Sequence, residues 1–470
     1  MARYECDVCG TIVDEETEKK TWDDMPDDWC CPVCESGKTH FSRQEDGAAS
    51  QIGPPGADAG DTDGYLAEWR RMSDDVEGHM ADIHAMAESG QSIAEPMRTR
   101  KRVVAWDDIL IKGAQLAKLP LNEDAAVNTT TVIGPAAKRP LAIDTPIYIT
   151  HMSFGALSRE MKVALAKGSA AVRTAMCSGE GGILTESLEN AHKYIFEYVP
   201  NKYSATEENL RRVDAIEIKI GQSAKPGLGG HLPANKVTEE IAAVRGFPPG
   251  TDITSPAHFD DIRTREDLKA KVDWLREVSE GRPIGVKLAA GHIEADLAVA
   301  LYGGVDFITI DGRAGATGAA PKFVKDAASV PTIFALSRAR AYLDDVEATK
   351  VTLVITGGLR ISPDFAKALA MGADAVAIGT SALMAAACQQ YRICNTGKCP
   401  IGGTTQDPAL RSRLSIEKSA QRVANFLRVS TEELEDFARL TGNDDVHKLG
   451  ASDLCTTNSE ISGHTKIQHV

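Results

Sequence analysis

The sequence predicts an α/β protein: a (β/α)8 TIM barrel carrying a small metal-binding domain at its N-terminus. Three observations predict it. Eight short apolar, β-rich runs alternate with amphipathic helical runs after residue 147, two C-x2-C pairs lie within the first 34 residues, and a Gly/Pro/Ala/Asp-rich stretch separates the two regions.

The β-rich runs are 147–150, 174–177, 194–198, 216–220, 284–289, 306–310, 351–356 and 374–379. Helical runs fall between most of them, at 158–172, 205–213, 265–279, 293–302, 332–347 and 362–371. Eight apolar strands joined by crossovers imply an all-parallel sheet buried on both faces. A barrel is the simplest closure, and it places the active site at the C-terminal ends of the strands. An open doubly wound sheet is the alternative, disfavoured because no G-x-G-x-x-G follows the first strand.

The domain boundaries follow from composition. Residues 1–45 are Cys-rich and acidic, 46–64 read as a flexible linker, and 65–146 form a helical and irregular lead-in. Within that lead-in, Leu66, Trp69, Met72, Val76, Met80 and Ile83 recur at helical spacing. The barrel is expected over 147–410, with C-terminal helices and a tail over 411–470.

An apolar share of 43% over 470 residues is normal for a globular protein with a buried core. No apolar run approaches the roughly 18 residues that span a bilayer, and the first residues lack a signal peptide's apolar region. A cytoplasmic, membrane-free enzyme is therefore expected. Residues 1–64 hold 16 Asp/Glu against 5 Lys/Arg, so they carry −11 of the net −15. Nucleic-acid binding calls for a basic patch, which this balance argues against.

Cys6-x2-Cys9 and Cys31-x2-Cys34 can present four thiolates tetrahedrally to iron or zinc. Cys388-x5-Cys394-x4-Cys399, followed by Pro400, suits an iron–sulfur cluster. Three ligands point to a 3Fe–4S type, or to a 4Fe–4S cluster with one foreign ligand; a structural zinc site with a remote fourth ligand is the alternative. Cys30, Cys177 and Cys455 are read as thiols outside these sets, with Cys177 at a strand end where it could line a pocket. Gly357-Gly358 and Gly379-Thr380 end the last two strands, where backbone N–H groups of barrels commonly hold a phosphate such as that of FMN. Lys287, in its strand, is a lone cation at the barrel mouth.

Two family resemblances go further. Tyr4-Glu-Cys-Asp-Val-Cys-Gly10, Trp22, Met25-Pro-Asp-Asp-Trp29 and Cys31-Pro-Val-Cys34 resemble rubredoxin, which implies one iron with Trp22, Trp29 and Phe41 packed around it. Roughly residues 95–455 resemble the FMN-binding synthase domain of glutamate synthase, in its short archaeal-type form. The matching stretches are Met152-Ser-Phe-Gly-Ala-Leu-Ser158, Ser178-Gly-Glu-Gly-Gly182, Ile218-Lys-Ile-Gly-Gln-Ser-Ala-Lys-Pro-Gly-Leu-Gly-Gly230, Thr356-Gly-Gly358, Ile378-Gly-Thr380 and Cys399-Pro-Ile-Gly-Gly-Thr-Thr-Gln-Asp-Pro408.

This second resemblance implies an oxidoreductase acting on CH-NH2 donors that reductively aminates 2-oxoglutarate to L-glutamate. It implies FMN contacts from Met152, Ser153, Ser178 and Lys287, and substrate contacts from Gln222, Lys225, His231 and Arg245. Glu180, Gln222 and Lys225 are the implied catalytic groups. The sequence departs from the usual pattern at Cys177, His231, Ala314 and Ala316, which leaves a related flavin oxidoreductase (N-methylglutamate synthase-like) or a purely electron-transferring subunit as alternatives. The implied partners are an electron donor, either a ferredoxin or a pyridine-nucleotide-dependent reductase subunit, and ammonia supplied externally or by a separate amidotransferase subunit. An oligomer is expected.

Overall fold

The computed structural model describes residues 2–6, 12–15, 20–26, 28–32, 37–44 and 75–470. The linker reading at 46–64 lies outside these residues, as do Cys9 and Cys34. The chain divides into two compact units, residues 1–95 with 321–323, and residues 96–320 with 324–470.

In the first unit, β1 (Arg3–Cys6) is the centre of an antiparallel sheet, flanked by β2 (Ile12–Asp14) and β3 (Phe41–Gln44). So small a sheet cannot bury a large core, and aromatic rings do most of the filling. Tyr4 stacks on Trp22 at 4.2 Å between ring centroids, and Trp22, Trp29 and Phe41 contact one another at 5.0–5.7 Å. Val13, Met25, Cys6 and Cys31 are buried beside them. The helix expected from Tyr65 to Ser89 is found only over Met80–Ser89; residues 65–74 lie outside the described residues. The turn at Glu77–His79 delays its start, Val76 is exposed, and none of the helix's residues is buried, so its apolar spacing does not mark a core-facing stripe.

The second unit is the barrel. Its strands are β4 (Ile147–Ile149), β5 (Ala175–Cys177), β6 (Lys193–Tyr198), β7 (Ala215–Lys219), β8 (Ile284–Ala289), β9 (Phe307–Asp311), β10 (Thr352–Thr356) and β11 (Ala375–Ile378). All pair in parallel, and β11 returns to β4 through Val376↔Ile147 and Ile378↔Ile149 to close the ring. Apolar residues on both faces explain why nearly every strand position is buried. Outward side chains such as Ile149, Met176 and Ile218 meet the surrounding helices, among them α1 (Arg159–Ala171) and the long amphipathic α3 (Ile416–Leu440), while α2 (Glu239–Arg245) packs in a separate cluster with Phe154, Tyr203 and Leu232. Gly168 on α1 lets α3 approach; a Cβ there would lie 2.6 Å from Val423.

The inward side chains form a separate cluster that includes Tyr148, Cys177, Ile195, Phe307 and Val354. Strands Thr131–Ile133 and Leu141–Ile143, an antiparallel pair ahead of the barrel, add Ile133, Leu141 and Ile143 to it. Gly134 donates its N–H to the Thr352 hydroxyl at the start of β10, so this hairpin plugs the N-terminal end and leaves the C-terminal mouth for chemistry. Among the described residues no helix is long and apolar enough to cross a membrane.

Candidate active site and metal centres

Several strand ends at the mouth deliver a polar or glycine residue, among them Ser178, Lys219, Asp311, Thr356 and Gly379. Glu180, in the loop after β5, pairs with Lys219 at the end of β7 at 2.5 Å. Burial alone would raise the Glu180 pKa, but Lys219 holds it down to about 2. Burial likewise opposes the Lys219 charge, and Glu180 and Glu197 overcome it, so Lys219 stays above its ordinary range. Lys219 is a site residue that the sequence reading missed.

Lys225 sits in the next turn with its ammonium on the Gly229 carbonyl at 2.9 Å. Burial, assisted by the Lys219 charge, lowers it to about 8. Gln222 opens that turn, its carbonyl accepting the Lys225 N–H. Gly230 presses on Glu180: a Cβ there would fall 2.0 Å from the Glu180 carboxylate. Arg245, at the end of α2, is buried rather than on the surface. Its Nη2 donates to the Phe154 carbonyl at 2.8 Å, its guanidinium lies over Tyr203, and its Nε has no partner. His231 is not drawn in with these groups. It lies on a two-residue strand paired with Ile253–Thr254, and its half-exposed ring faces Asp252 at 3.4 Å.

Deeper in the mouth is a second polar group. His151 brings Nε2 to 3.0 Å from Glu217 and accepts the Gly179 N–H at Nδ1. Glu217 also takes the Thr309 hydroxyl, and although burial favours its neutral form, His151 and Lys287 keep its pKa below the usual range. Lys162 reaches in from α1 to donate to the carbonyls of Met152, Cys177 and Ser178 at 2.8–3.1 Å, tying the loops after β4 and β5 together. Burial brings it to about 7. The Ser178 hydroxyl accepts the Glu197 N–H and donates to the Gly179 carbonyl, while its backbone N–H donates to the Ile195 carbonyl. Cys177 is a fully buried thiol whose pKa burial pushes far up, which matches its reading as a packed thiol; Cys455 is also buried, in a strand.

At the ends of β10 and β11, Gly357 and Gly358 have φ of +111° and +91°, conformations that only glycine adopts readily. A Cβ on Gly358 would lie 2.6 Å from that of Ala314, which itself has φ +97°. Next to them Arg360 donates to the Leu359 carbonyl. Burial and the neighbouring Arg98 bring it down to about 10. Gly379 precedes the helix Thr380–Ala386, in whose first turn the Ser381 hydroxyl is buried without a hydrogen-bond partner. Two guanidiniums, an unsatisfied hydroxyl and glycine backbone fit a phosphate monoester. Sequence reasoning found the glycines but not Arg360 or Ser381.

Cys388, Cys394 and Cys399 line one cavity, together with Met97, Leu383 and Ile401, and none of its other lining residues is Cys, His, Asp or Glu. Burial raises the Cys394 pKa to about 11, and the neighbouring Cys388 and Cys399 thiols add to the rise. Met97, with φ +69°, places its sulfur 3.9 Å from that of Cys394. Three thiols lining one cavity, with no other Cys, His, Asp or Glu among its lining residues, fit a three-coordinate iron–sulfur cluster. In the N-terminal unit Cys6 and Cys31 are both buried while Cys30 is exposed, which separates Cys30 from the ligand pairs.

Comparison with known proteins gives the family and the fold. A family model described as a conserved region in glutamate synthase matches residues 79–444, and the rubredoxin model matches residues 3–41. A glutamate synthase large subunit-like protein of Rhizobium meliloti (strain 1021) is 36% identical over 408 residues, covering 83% of this chain and 92% of that protein. An archaeal glutamate synthase (NADPH) of Archaeoglobus fulgidus is 40% identical over 400 residues, covering 79% of this chain and 76% of its own length. Among solved structures, a flavocytochrome b2 variant with benzoylformate is 17% identical at a TM-score of 0.50, covering 77% of this chain and 78% of that one, a likeness of fold. With its family region spanning most of the chain, the protein belongs to the glutamate synthase family of oxidoreductases and carries a rubredoxin-like region ahead of its barrel.

Proposed function

We propose that the protein reductively aminates 2-oxoglutarate to L-glutamate, using FMN in the barrel mouth and electrons relayed by a rubredoxin-type iron and a 3Fe–4S cluster. The observation that carries the reading is the set Lys219, Lys225, Arg245 and Glu180, of which Lys225 and Arg245 are buried and Lys219 and Glu180 partly buried. Lys225 and Arg245 bring two buried cations beside the Glu180–Lys219 pair, with Glu197 and Asp311 also acting on Lys219, and two such cations suit the two carboxylates of a small dianion.

The phosphate of FMN would be held by Gly357, Gly358, Gly379, Thr380, Ser381 and Arg360, and its ring by Met152, Ser153, Ser178 and Lys287. When bound, the flavin supplies hydride, and the protein supplies position and charge. Lys225 and Arg245 bind and orient the carboxylates of the oxo acid. Glu180 keeps Lys219 protonated, so that its Nζ holds a proton at the pocket's centre. The plugged, apolar barrel floor excludes water from below. Ammonia enters from solution or from a separate amidotransferase subunit, and electrons come from a ferredoxin or a pyridine-nucleotide-dependent reductase. In the N-terminal site Cys6, Cys9, Cys31 and Cys34 would hold iron.

The test is a single turnover. Flavin- and iron-replete protein, reduced anaerobically and mixed with 2-oxoglutarate and ammonium, is expected to reoxidise and form glutamate. Reoxidation without glutamate overturns the reading. The half-exposed position of His231, away from the Glu180–Lys219 pair, favours one second reading, in which the amine differs. Faster turnover with methylamine than with ammonium would establish it.

A further inference from the structure

Lys236 is a buried cation that the proposed chemistry does not use. It ends the short 3-10 turn Ala234–Lys236 that follows the strand His231–Leu232, and it is 4% exposed. Its Nζ donates to the Cys394 carbonyl at 2.7 Å and to the Thr404 carbonyl at 3.2 Å. Gly397, in the same cysteine loop, leaves room for its stem; a Cβ there would lie 3.2 Å from Lys236 Cε. Both acceptors are neutral oxygens, so the hydrogen bonds do not balance the ammonium's charge. An unbalanced charge in the interior is costly, and a nearby anion relieves the cost. Cys394 and Cys399 are the titratable groups that face it, and both line the cavity of the three thiols. Three thiolates around a cluster would supply the missing negative charge.

We propose that Lys236 is the buried counter-cation of the cluster at Cys388, Cys394 and Cys399, and that its charge raises the cluster's reduction potential. The proposal rests on the reading of the cysteine loop as an iron–sulfur site. Reduction adds one electron, taken from an external reductant, and one unit of negative charge to the cluster. A fixed positive charge beside the loop therefore stabilises the reduced form more than the oxidised one. The same segment carries Lys225 eleven residues earlier, so the substrate pocket and the cluster share one stretch of backbone.

The experiment is a mediated redox titration of the anaerobically reconstituted full-length protein, followed by electron paramagnetic resonance, with iron and sulfide counted in each sample. Lys236→Gln can still donate a hydrogen bond, Lys236→Met cannot, and Lys236→Arg keeps the charge. Both neutral variants should show about a tenfold lower reduced-to-oxidised ratio at fixed potential, about 59 mV for a one-electron couple, while Lys236→Arg stays near wild type. Loss of the cluster from both neutral variants but not from Lys236→Arg would also support a charge requirement. Lys236→Gln matching wild type in loading and potential would overturn the proposal and leave Lys236 a hydrogen-bonding staple. Absence of iron and sulfide from every sample, wild type included, would instead sink the cluster reading itself.

Discussion

Lys219 and Glu180 face each other at 2.5 Å across the mouth of the barrel, joining the end of β7 to the loop after β5. Removing one partner strands the other charge in the interior. Lys219→Met and Glu180→Gln should therefore each destabilise the protein by about 3–5 kcal/mol, measured by denaturant unfolding, and the double variant should cost less than the sum. The Glu180 pKa is depressed in the folded state, from 4.5 to about 2. Its contribution is accordingly full above about pH 4.5 and lost as pH falls through 2. Glu180→Gln should flatten that part of the stability profile.

Lys225 behaves in the opposite sense, because burial lowers its pKa to about 8. It is charged below that value and neutral above it. The unfolded chain binds the extra proton between pH 8 and 10.5, so the cost of burying the ammonium fades as pH rises through that window. Binding of a dicarboxylate should weaken over the same range. KM for 2-oxoglutarate is expected to climb above pH 8 in wild type and to be high and pH-independent there in Lys225→Met. A flat wild-type profile would contradict the assignment.

Arg360 lies two residues beyond Gly358, one of the glycines proposed to hold the flavin phosphate. Replacing it with Gln removes a charge-assisted bond worth about 1.5–3 kcal/mol, roughly a 10- to 100-fold loss in affinity. Fluorescence titration of apoprotein with FMN would read this directly. Riboflavin, which lacks the phosphate, should bind wild type and Arg360→Gln alike.

Ala314 holds a backbone conformation with φ +97° that an L side chain rarely adopts. Relief of that strain is worth about 1–3 kcal/mol, partly offset by glycine's extra freedom when unfolded. Ala314→Gly should therefore raise Tm by a few degrees. Gly358→Ala should lower it sharply, since its methyl would sit 2.6 Å from that of Ala314.

The barrel was legible in sequence because doubly buried strands leave continuous apolar runs, and all eight runs became strands within a residue or two of the expected ends. The glycine pairs at 357–358 and 379–380 were legible because strand ends are where a barrel does its work. Lys219 was not, since a lysine closing an apolar strand looks like a solvated terminus until Glu180 is seen opposite it. Lys162 was hidden in the same way: on α1 it fits a polar helical position, yet it crosses the helix–sheet interface to cap three carbonyls. Arg245 was named only through the resemblance, since an arginine ending a short helix carries no sign of burial, and only the fold shows it donating to the Phe154 carbonyl. His231 shows the converse, since the family resemblance implied a substrate contact there while a short hairpin turns its ring toward Asp252.

Closure of the ring between β4 and β11 also sets an order of events during synthesis. The three strands of the N-terminal sheet are complete once Gln44 has emerged from the ribosome, so that sheet can form early. The larger unit waits. Until Ala375–Ile378 emerges, β4 and β10 present unpaired backbone edges of a kind that invites pairing with other chains. The nascent barrel is therefore most in need of shielding over the last stretch before β11, when nearly all of its apolar strands are already exposed to the cell.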